Sequence, residues 1–311
     1  MPSSDSYANP DNETDGTPAD PAQIPATIWQ LRTQHLAFES GPVLMGIVNA
    51  TPDSFSDGGK YLDADRAVEH ALQLVADGAG ILDIGGESTR PYSDPVGEQE
   101  ELDRVIPVIE RLAGETSIPL SIDTSKAAVA RAALEAGADI INDVTGLEGD
   151  PQMVAVAAET EAGICAMHMQ GTPKTMQDNP VYTDVAGDIL QYLIARRDAL
   201  IDAGIPQNRI CLDPGIGFGK THTHNLQLIH QAVTFHKTGC PILVGHSRKG
   251  FIGKVLGDKT ADRDVGTATV AMALASQGIQ IIRVHNVVAC QQALRVWAAI
   301  GALDGRVAQL D

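Results

Sequence analysis

One pattern recurs eight times along the chain and constrains the fold most: a short apolar run, a polar strand end, a loop and an amphipathic helical stretch. The first copy runs from Val43 to Val48, ends at Asn49, and is followed by the turn-forming loop 50–59. Short apolar runs bounded by turn residues are typical of strands buried on both faces of a parallel sheet. We therefore predict eight such strands. The other seven runs are Ile81–Gly85, Leu120–Asp123, Ile140–Asp143, Ile164–Met169, Ile210–Asp213, Ile242–Gly245 and Ile281–His285.

Eight strands that alternate with helices through right-handed crossovers close naturally into a (β/α)8 barrel. We predict an α/β chain with a single TIM barrel over residues 39–311. The alternative fold is a doubly wound open sheet, but that sheet usually has a glycine-rich dinucleotide loop after its first strand, and here Asn49-Ala50-Thr51-Pro52 follows it. Five glycines stand just before strands, where helix C-cap glycines are expected: Gly78, Gly137, Gly163, Gly204 and Gly278.

Residues 1–38 are predicted to form a largely disordered, acidic N-terminal tail. Residues 1 to about 27 are rich in Pro, Ser, Thr, Asn, Asp and Ala and contain no Lys or Arg, so they bury too little apolar surface to order themselves. The start of the chain lacks a basic region, and no apolar run approaches the ~18 residues of a membrane span. We therefore expect neither a signal peptide nor a transmembrane segment.

Charge and cysteine usage restrict the partners and the compartment. The formal net charge of −18 argues against nucleic acid and anionic membranes, since both require a basic surface. The four cysteines are far apart and form no C-x-x-C pair, which favours a reduced protein of the cytoplasm.

In such a barrel the polar strand ends converge at one mouth. Asp123, Asn142 and Asp213 combine two carboxylates with one amide, a set that suits a flat ligand with adjacent N–H groups, such as a pterin or guanine-like ring. The alternative is that these residues cap helices. The full set of expected mouth residues is Asn49, Asp83, Asp123, Asn142, Met167, His168, Asp213, Lys249, Arg283 and His285.

Basic residues follow the last two strands, in Ser247-Arg248-Lys249 and in Arg283-Val284-His285. Barrels commonly bind phosphate in this region, so the pattern indicates an anion site, with ordinary surface ion pairs as the alternative.

Two other segments need a choice between a ligand site and a simpler interpretation. The glycine-rich segment 213–221 matches neither the Walker loop nor the dinucleotide fingerprint; its glycines let the backbone approach a ligand, with Phe218 as an aromatic surface. His222 and His224 are interpreted as solvated loop residues, because a zinc site needs more ligands.

Taken together, these motifs resemble those of the dihydropteroate synthase family, the folate-pathway enzymes inhibited by sulfonamides, from about Leu44 to the last helix. The matching segments are Gly46–Gly59, Gly85–Pro91, Asp123–Lys126, Ile141–Asp143, Met167–Gly171, Asp213–Gly215, Ser247–Lys249 and Arg283–His285.

The resemblance implies that 7,8-dihydropterin-6-ylmethyl diphosphate and 4-aminobenzoate condense to 7,8-dihydropteroate and pyrophosphate, assisted by Mg²⁺, in a homodimer. Ionising the C–O bond places positive charge on the pterin methylene and negative charge on pyrophosphate, which carboxylates and cations respectively stabilise. By resemblance, Asp123, Lys249 and Arg283 are the catalytic residues and Asn49 the metal ligand. The resemblance also implies that Asp123, Asn142, Asp213 and Lys249 hold the pterin, with Met167 and Phe218 packed around it, and that Asn49, Arg283 and His285 hold the diphosphate and its Mg²⁺. Asp83 and Ser247 are further expected substrate-binding residues. Phe55, Thr89, Arg90 and Pro91 are expected on two mobile loops that close over the 4-aminobenzoate.

Three positions depart from the family pattern: Tyr92 stands where glycine is frequent, Gly97 where serine is frequent, and Gly250 where serine or a bulkier residue is frequent. All three concern the 4-aminobenzoate side. Two other functions remain open. A methyltetrahydrofolate methyltransferase has a similar pterin pocket but no use for a diphosphate site. A catalytically silent paralogue would bind a pterin or a partner protein without condensation.

Overall fold

The computed structural model describes residues 24–51, 60–89, 93–172, 174–302 and 305–308. Eight parallel strands form its central sheet: β3 (Val43–Asn49), β4 (Ile81–Gly85), β5 (Leu120–Asp123), β6 (Ile140–Asp143), β7 (Gly163–Met167), β8 (Ile210–Asp213), β9 (Leu243–Gly245) and β10 (Ile281–Val284). Each strand from β3 to β7 pairs with the next in the chain, and β10 lies between β3 and β9. A parallel bridge between Leu212 and Ile242 joins β8 to β9. The sheet therefore closes, and the predicted TIM barrel is confirmed.

Helices follow the strands around the outside of the barrel. They are α1 (Lys60–Ala76), α2 (Glu98–Glu115), α3 (Ala127–Glu135), α4 (Met153–Glu159), α5 (Val185–Asp202), α6 (His222–His230), α7 (Gly250–Leu256), α8 (Asp264–Ala275) and α9 (Val287–Ala299). Within the described ranges, no helix is long and apolar enough to cross a membrane.

The predicted strands agree with the observed ones to within one or two residues. The fifth run was expected to continue to Met169, but β7 ends at Met167. Four of the five C-cap glycines, Gly78, Gly137, Gly204 and Gly278, have φ values of 103°, 119°, 92° and 73°, in the left-handed region that favours glycine.

The C-cap prediction for Gly163 is wrong. Glu161 takes the left-handed conformation before β7, with φ of 56°, and Gly163 is the first residue of the strand itself. A Cβ at Gly163 would lie only 2.6 Å from Leu31 Cδ2. This glycine therefore permits a close approach of the N-terminal segment to the barrel.

The N-terminal segment contradicts part of the prediction that residues 1–38 are largely disordered. Within residues 1–38, β1 (Ile28–Gln30) and β2 (His35–Ala37) form an antiparallel hairpin. Trp29 is fully buried and its indole N–H donates to the carbonyl of Arg209 at 3.0 Å. Burial of this large side chain offsets the cost of ordering the hairpin. Residues 1–23 lie outside the described part of the chain, so disorder there stays a prediction.

The hairpin covers the N-terminal end of the barrel. Trp29 and Leu31 pack in one cluster with side chains from the first half of the barrel strands: Met45, Ile81, Ile140, Cys165, Cys211, Leu243 and Ile281. A larger apolar cluster fills the space between strands and helices. With one end covered, ligands have access from the opposite mouth, where the strands end.

Candidate active site

An arginine between two carboxylates lies at the centre of the mouth. Arg283 on β10 donates through Nε to Asp83 Oδ2 at 2.5 Å and through Nη2 to Asp123 Oδ2 at 2.7 Å. The Asn142 amide also donates to Asp83 Oδ2, at 3.1 Å. These residues come from β4, β5, β6 and β10, so barrel closure brings together groups that are up to 200 residues apart in sequence.

The cluster is largely removed from water. Asp83 is fully buried, whereas the Arg283 and Asp123 side chains retain 22% and 12% of their exposure. Burial raises the pKa of Asp123 to about 7, against the opposing charge of Arg283, and the Asp83 carboxylate adds to the shift. Burial alone would lower the pKa of Arg283, but Asp83 and Asp123 outweigh it and raise that pKa. Asp123 can therefore either donate or accept a hydrogen bond near neutral pH.

Asp213 ends β8, on the same side of the mouth as Arg283. Its Oδ1 accepts the Gly215 amide at 2.7 Å, and burial raises its pKa although that hydrogen bond and Lys249 oppose the shift. A Cβ on Gly245 would lie 3.8 Å from Arg283 Cβ and 4.0 Å from Asp213 Oδ2. The missing side chain at Gly245 thus leaves space between these two groups. Met167, buried at the end of β7, pairs in register with Asp213.

Lys249 borders the same space from the loop after β9. Its ammonium lies 4.3 Å from the centre of the Phe218 ring, a cation–π arrangement, and donates to the Ile216 carbonyl. Burial lowers the pKa of Lys249 to about 7, with Asp213 opposing the shift and Arg283 adding to it. A Cβ on Gly217 would lie 2.7 Å from Lys249 Cδ. The glycine-rich loop therefore packs on the lysine, and the expected approach of its backbone to a ligand stays a prediction.

The expected anion site includes Ser247 and His285 as well as Arg283. Ser247 Oγ accepts the His285 amide at 3.2 Å and lies 2.9 Å from His285 Nδ1. Beside it, Arg248 forms a bidentate ion pair with Asp264 at 2.7 and 2.8 Å. A cleft of about 420 Å³ is lined by Asn49, Arg248, His285 and residues of α1. The structure thus groups Asn49 with the basic residues that follow the last two strands.

Thr89 is half-buried on the loop that follows β4. Three other predicted site residues, Phe55, Arg90 and Pro91, lie outside the described residues, as does Tyr92. Their roles stay predictions.

Sequence reasoning missed a buried lysine beneath the glycine-rich loop. Lys220 Nζ lies 2.9 Å from His168 Nδ1 and donates to the Phe218 carbonyl at 2.8 Å. Burial and the charge of Lys220 lower the pKa of His168 to about 3, so the imidazole is neutral. The sequence offers no local signal for this burial, since lysine side chains are almost never fully buried.

The two histidines lie on a helix rather than in a loop, although His222 is exposed, as expected of a solvated residue. His222 begins α6, and His224 forms a capping box with Thr221, in which the His224 amide donates to Thr221 Oγ1 at 3.1 Å. This arrangement satisfies free N–H groups at the helix start. Among the described residues, no three His, Cys, Asp or Glu side chains form a group that could hold a metal ion.

Comparison with known proteins agrees with this geometry. The family model described as "Pterin binding enzyme" matches residues 45–285. The dihydropteroate synthase of Neisseria meningitidis serogroup B is 47% identical over 280 residues, covering 88% of this chain and 98% of the relative.

Solved structures of relatives have the same fold. Xanthomonas albilineans dihydropteroate synthase with 4-aminobenzoic acid has a TM-score of 0.82 at 42% identity, covering 89% of this chain and 99% of that one. Burkholderia cenocepacia dihydropteroate synthase complexed with 7,8-dihydropteroate has a TM-score of 0.79 at 43% identity, covering 89% and 97% respectively.

Proposed function

The chain belongs to the dihydropteroate synthase family, and on that premise we propose that it joins 7,8-dihydropterin-6-ylmethyl diphosphate to 4-aminobenzoate for tetrahydrofolate synthesis. The C–O bond to the diphosphate breaks, a C–N bond to the arylamine forms, and pyrophosphate and a proton leave. The observation that carries the proposal is a cluster of polar and charged side chains at one barrel mouth: Asp123, Asn142, Asp213, Lys249 and Arg283.

The acidic and amide groups of this cluster fit the pterin. Asp123, Asn142 and Asp213 offer carboxylate and amide groups to the ring N–H groups and carbonyl of a pterin. Met167 and Phe218 supply apolar surface, and Lys249 supplies a cation above the Phe218 ring. The carboxylates also favour the positive charge that develops on the methylene carbon when the C–O bond ionises.

The basic side fits the leaving diphosphate. Arg283 uses two of its N–H groups on Asp83 and Asp123, and a guanidinium has five N–H donors, so it can bind phosphate oxygens while it remains paired. Ser247 and His285 add a hydroxyl and an imidazole beside it. A methyltetrahydrofolate methyltransferase would not need these anion-binding groups, which disfavours that alternative.

We propose Mg²⁺ as the metal, with Asn49 as its protein ligand. Mg²⁺ favours oxygen ligands, and is commonly bound by one or two protein groups together with substrate phosphates and waters. The amide oxygen of Asn49, on the same cleft as His285, fits this donor set, and the diphosphate would supply the other oxygens. When bound, the ion would neutralise charge on the leaving pyrophosphate.

We further propose a cytoplasmic homodimer. All four cysteines are buried thiols without a disulfide, which favours a reducing compartment. Val265 on α8 and Val296 and Ile300 at the end of α9 are 81%, 65% and 65% exposed, and these two helices pack together. Sedimentation at two concentrations should show a dimer, and Val296→Asp should yield monomers if this surface is the interface.

The test of the reaction is formation of dihydropteroate, identified by mass, with release of pyrophosphate. We expect product only when the pterin diphosphate, 4-aminobenzoate and Mg²⁺ are all present, and not with Asp123→Ala or Lys249→Ala. Pterin binding without condensation by the unaltered protein would instead identify a silent paralogue.

A further inference from the structure

A buried ion cluster lies beside the proposed active site and takes no part in the chemistry described above. Lys126, directly before α3, donates from Nζ to Glu101 Oε2 on α2 at 2.5 Å. The same ammonium donates to Glu87 Oε2, on the loop after β4. We call these three residues the Lys126 cluster.

The Lys126 cluster compensates a carboxylate that has no access to water. Glu101 is fully buried, and its Oε1 has no hydrogen-bond partner among the described residues. A carboxylate in this setting requires a cation. Burial alone would lower the pKa of Lys126, but the hydrogen bonds that it donates to Glu101 and Glu87 outweigh this effect and raise that pKa. Lys126 therefore stays an ammonium and can hold both partners.

One side of the cluster is fixed to the strand that carries Asp123. Thr124, the next residue, donates its amide to the Asn142 carbonyl at 3.1 Å. Its hydroxyl accepts the Lys126 amide at 3.2 Å. Through Thr124, the backbone of Lys126 is therefore held close to Asp123, whose carboxylate is expected to face the pterin.

The other side holds both ends of the loop after β4. Glu87 Oε1 accepts the Val96 amide at 3.3 Å, which joins the start of the loop to its return. Arg104 on α2 donates to the Gly86 carbonyl at 2.7 Å. A Cβ on Gly86 would lie 2.9 Å from Glu101 Cγ, so the loop start packs directly on the buried carboxylate. Thr89 follows Glu87 by two residues.

We propose that Lys126 and Glu87 are positioning residues for 4-aminobenzoate. Their ion pair holds the start of the loop that carries Thr89 in a fixed place relative to Asp123, so that the two substrates meet at the correct separation. Neither residue touches a substrate. This inference rests on the proposed condensation, and it extends the site to two residues that lie in matching motifs but had no assigned role.

The test is a set of substitutions that leave Glu101 paired. Glu87→Ala removes the link to the loop while Lys126 still compensates Glu101, so the fold should persist. We expect the KM for 4-aminobenzoate to rise about tenfold, as is typical for loss of a charge-assisted hydrogen bond. The KM for the pterin diphosphate should change less than about twofold. Glu87→Gln keeps only one acceptor oxygen, which can serve Lys126 or Val96 but not both as the two carboxylate oxygens of Glu87 do, so it should recover only part of the loss.

An ion pair between α3 and α4 provides a matched control. Glu159 accepts a hydrogen bond from Arg131 of α3 at 2.7 Å, but that pair is exposed and distant in sequence from the loop. Glu159→Ala should leave both KM values unchanged. Equal rises in both KM values for Glu87→Ala, or no rise in the value for 4-aminobenzoate, would overturn the proposal.

Hydrogen–deuterium exchange separates this inference from the proposed reaction. In the Glu87→Ala protein, amides of residues 86–89 and 93–97 should exchange faster than in the unaltered protein, whether or not condensation occurs. Unchanged exchange in these residues would overturn the positioning role. Absence of dihydropteroate formation by the unaltered protein would refute the proposed reaction instead.

Discussion

Replacing Arg283 by methionine tests whether the central ion cluster is essential to the barrel as well as to chemistry. The substitution keeps much of the side-chain volume but leaves Asp83 fully buried without its cation. Removing one partner of a buried ion pair typically costs about 3–5 kcal/mol in the free energy of unfolding. Because Arg283 pairs with two carboxylates, we expect the upper part of that range at alkaline pH.

The loss should depend on pH in a defined direction. The pKa of Asp123 is about 7 in the folded protein, above its ordinary value of 3.8, and Arg283 opposes that rise. An acid with a raised folded pKa destabilises the protein increasingly as pH rises above its unfolded pKa and through its folded pKa. Without Arg283 the folded pKa rises further, so this window extends to higher pH. The difference from the unaltered protein should therefore be larger at about pH 8.5 than at about pH 6.

Urea denaturation at both pH values measures this difference. The triple variant Arg283→Met, Asp83→Asn, Asp123→Asn removes the buried charges together, and should regain most of the stability but none of the activity. Arg131→Met breaks an exposed ion pair and should cost less than about 1 kcal/mol. A pH-independent loss for Arg283→Met, or one as small as for Arg131→Met, would refute the reasoning.

Four further substitutions test other parts of the structure. Trp29→Ala removes a fully buried indole at the closed end of the barrel and should lower the free energy of unfolding by about 3–5 kcal/mol with kcat unchanged, as checked by denaturation and by assay of the folded fraction. Gly250→Ser fits sterically, since the nearest atom to its Cβ would be His222 Cε1 at 3.5 Å. If the serine that is frequent in the family contacts 4-aminobenzoate, this substitution should lower the KM for that substrate. An unchanged KM would refute such a contact. Asn49→Ala should increase the Mg²⁺ concentration required for half-maximal rate, measured by titration, without altering the melting temperature. In the unaltered protein the KM for the pterin diphosphate should rise with pH above about 7, because Lys249 loses its proton there. In a pH series, Lys249→Arg should show a smaller rise in this KM, because arginine stays charged.

The barrel was accessible from sequence because its strands are continuous apolar runs that end in polar residues. Asn49, Asp123 and Asp213 each end a strand at the point where the apolar run stops, so the barrel topology was enough to predict that they lie at the mouth. The N-terminal hairpin could not be predicted from the sequence in this way. Its strands have three residues each, too few for a period, and the polar composition of the preceding residues hides the one side chain, Trp29, whose burial orders them.

Pairings between distant residues were also beyond the sequence. Arg283 was assigned to the diphosphate, but the structure also pairs it with Asp83 and Asp123, because closing the barrel places β10 near β4 and β5. Lys126 matched the family as part of a motif, but its ion pairs reach 25 and 39 residues back along the chain. No local spacing rule predicts such contacts.

The most direct test of the account is a coupled measurement on the unaltered protein: pyrophosphate release and dihydropteroate formation, with and without 4-aminobenzoate. We predict that the two products form in equal amounts and that 4-aminobenzoate is required for dihydropteroate. A protein that binds the pterin diphosphate but forms no dihydropteroate under these conditions would contradict the central claim.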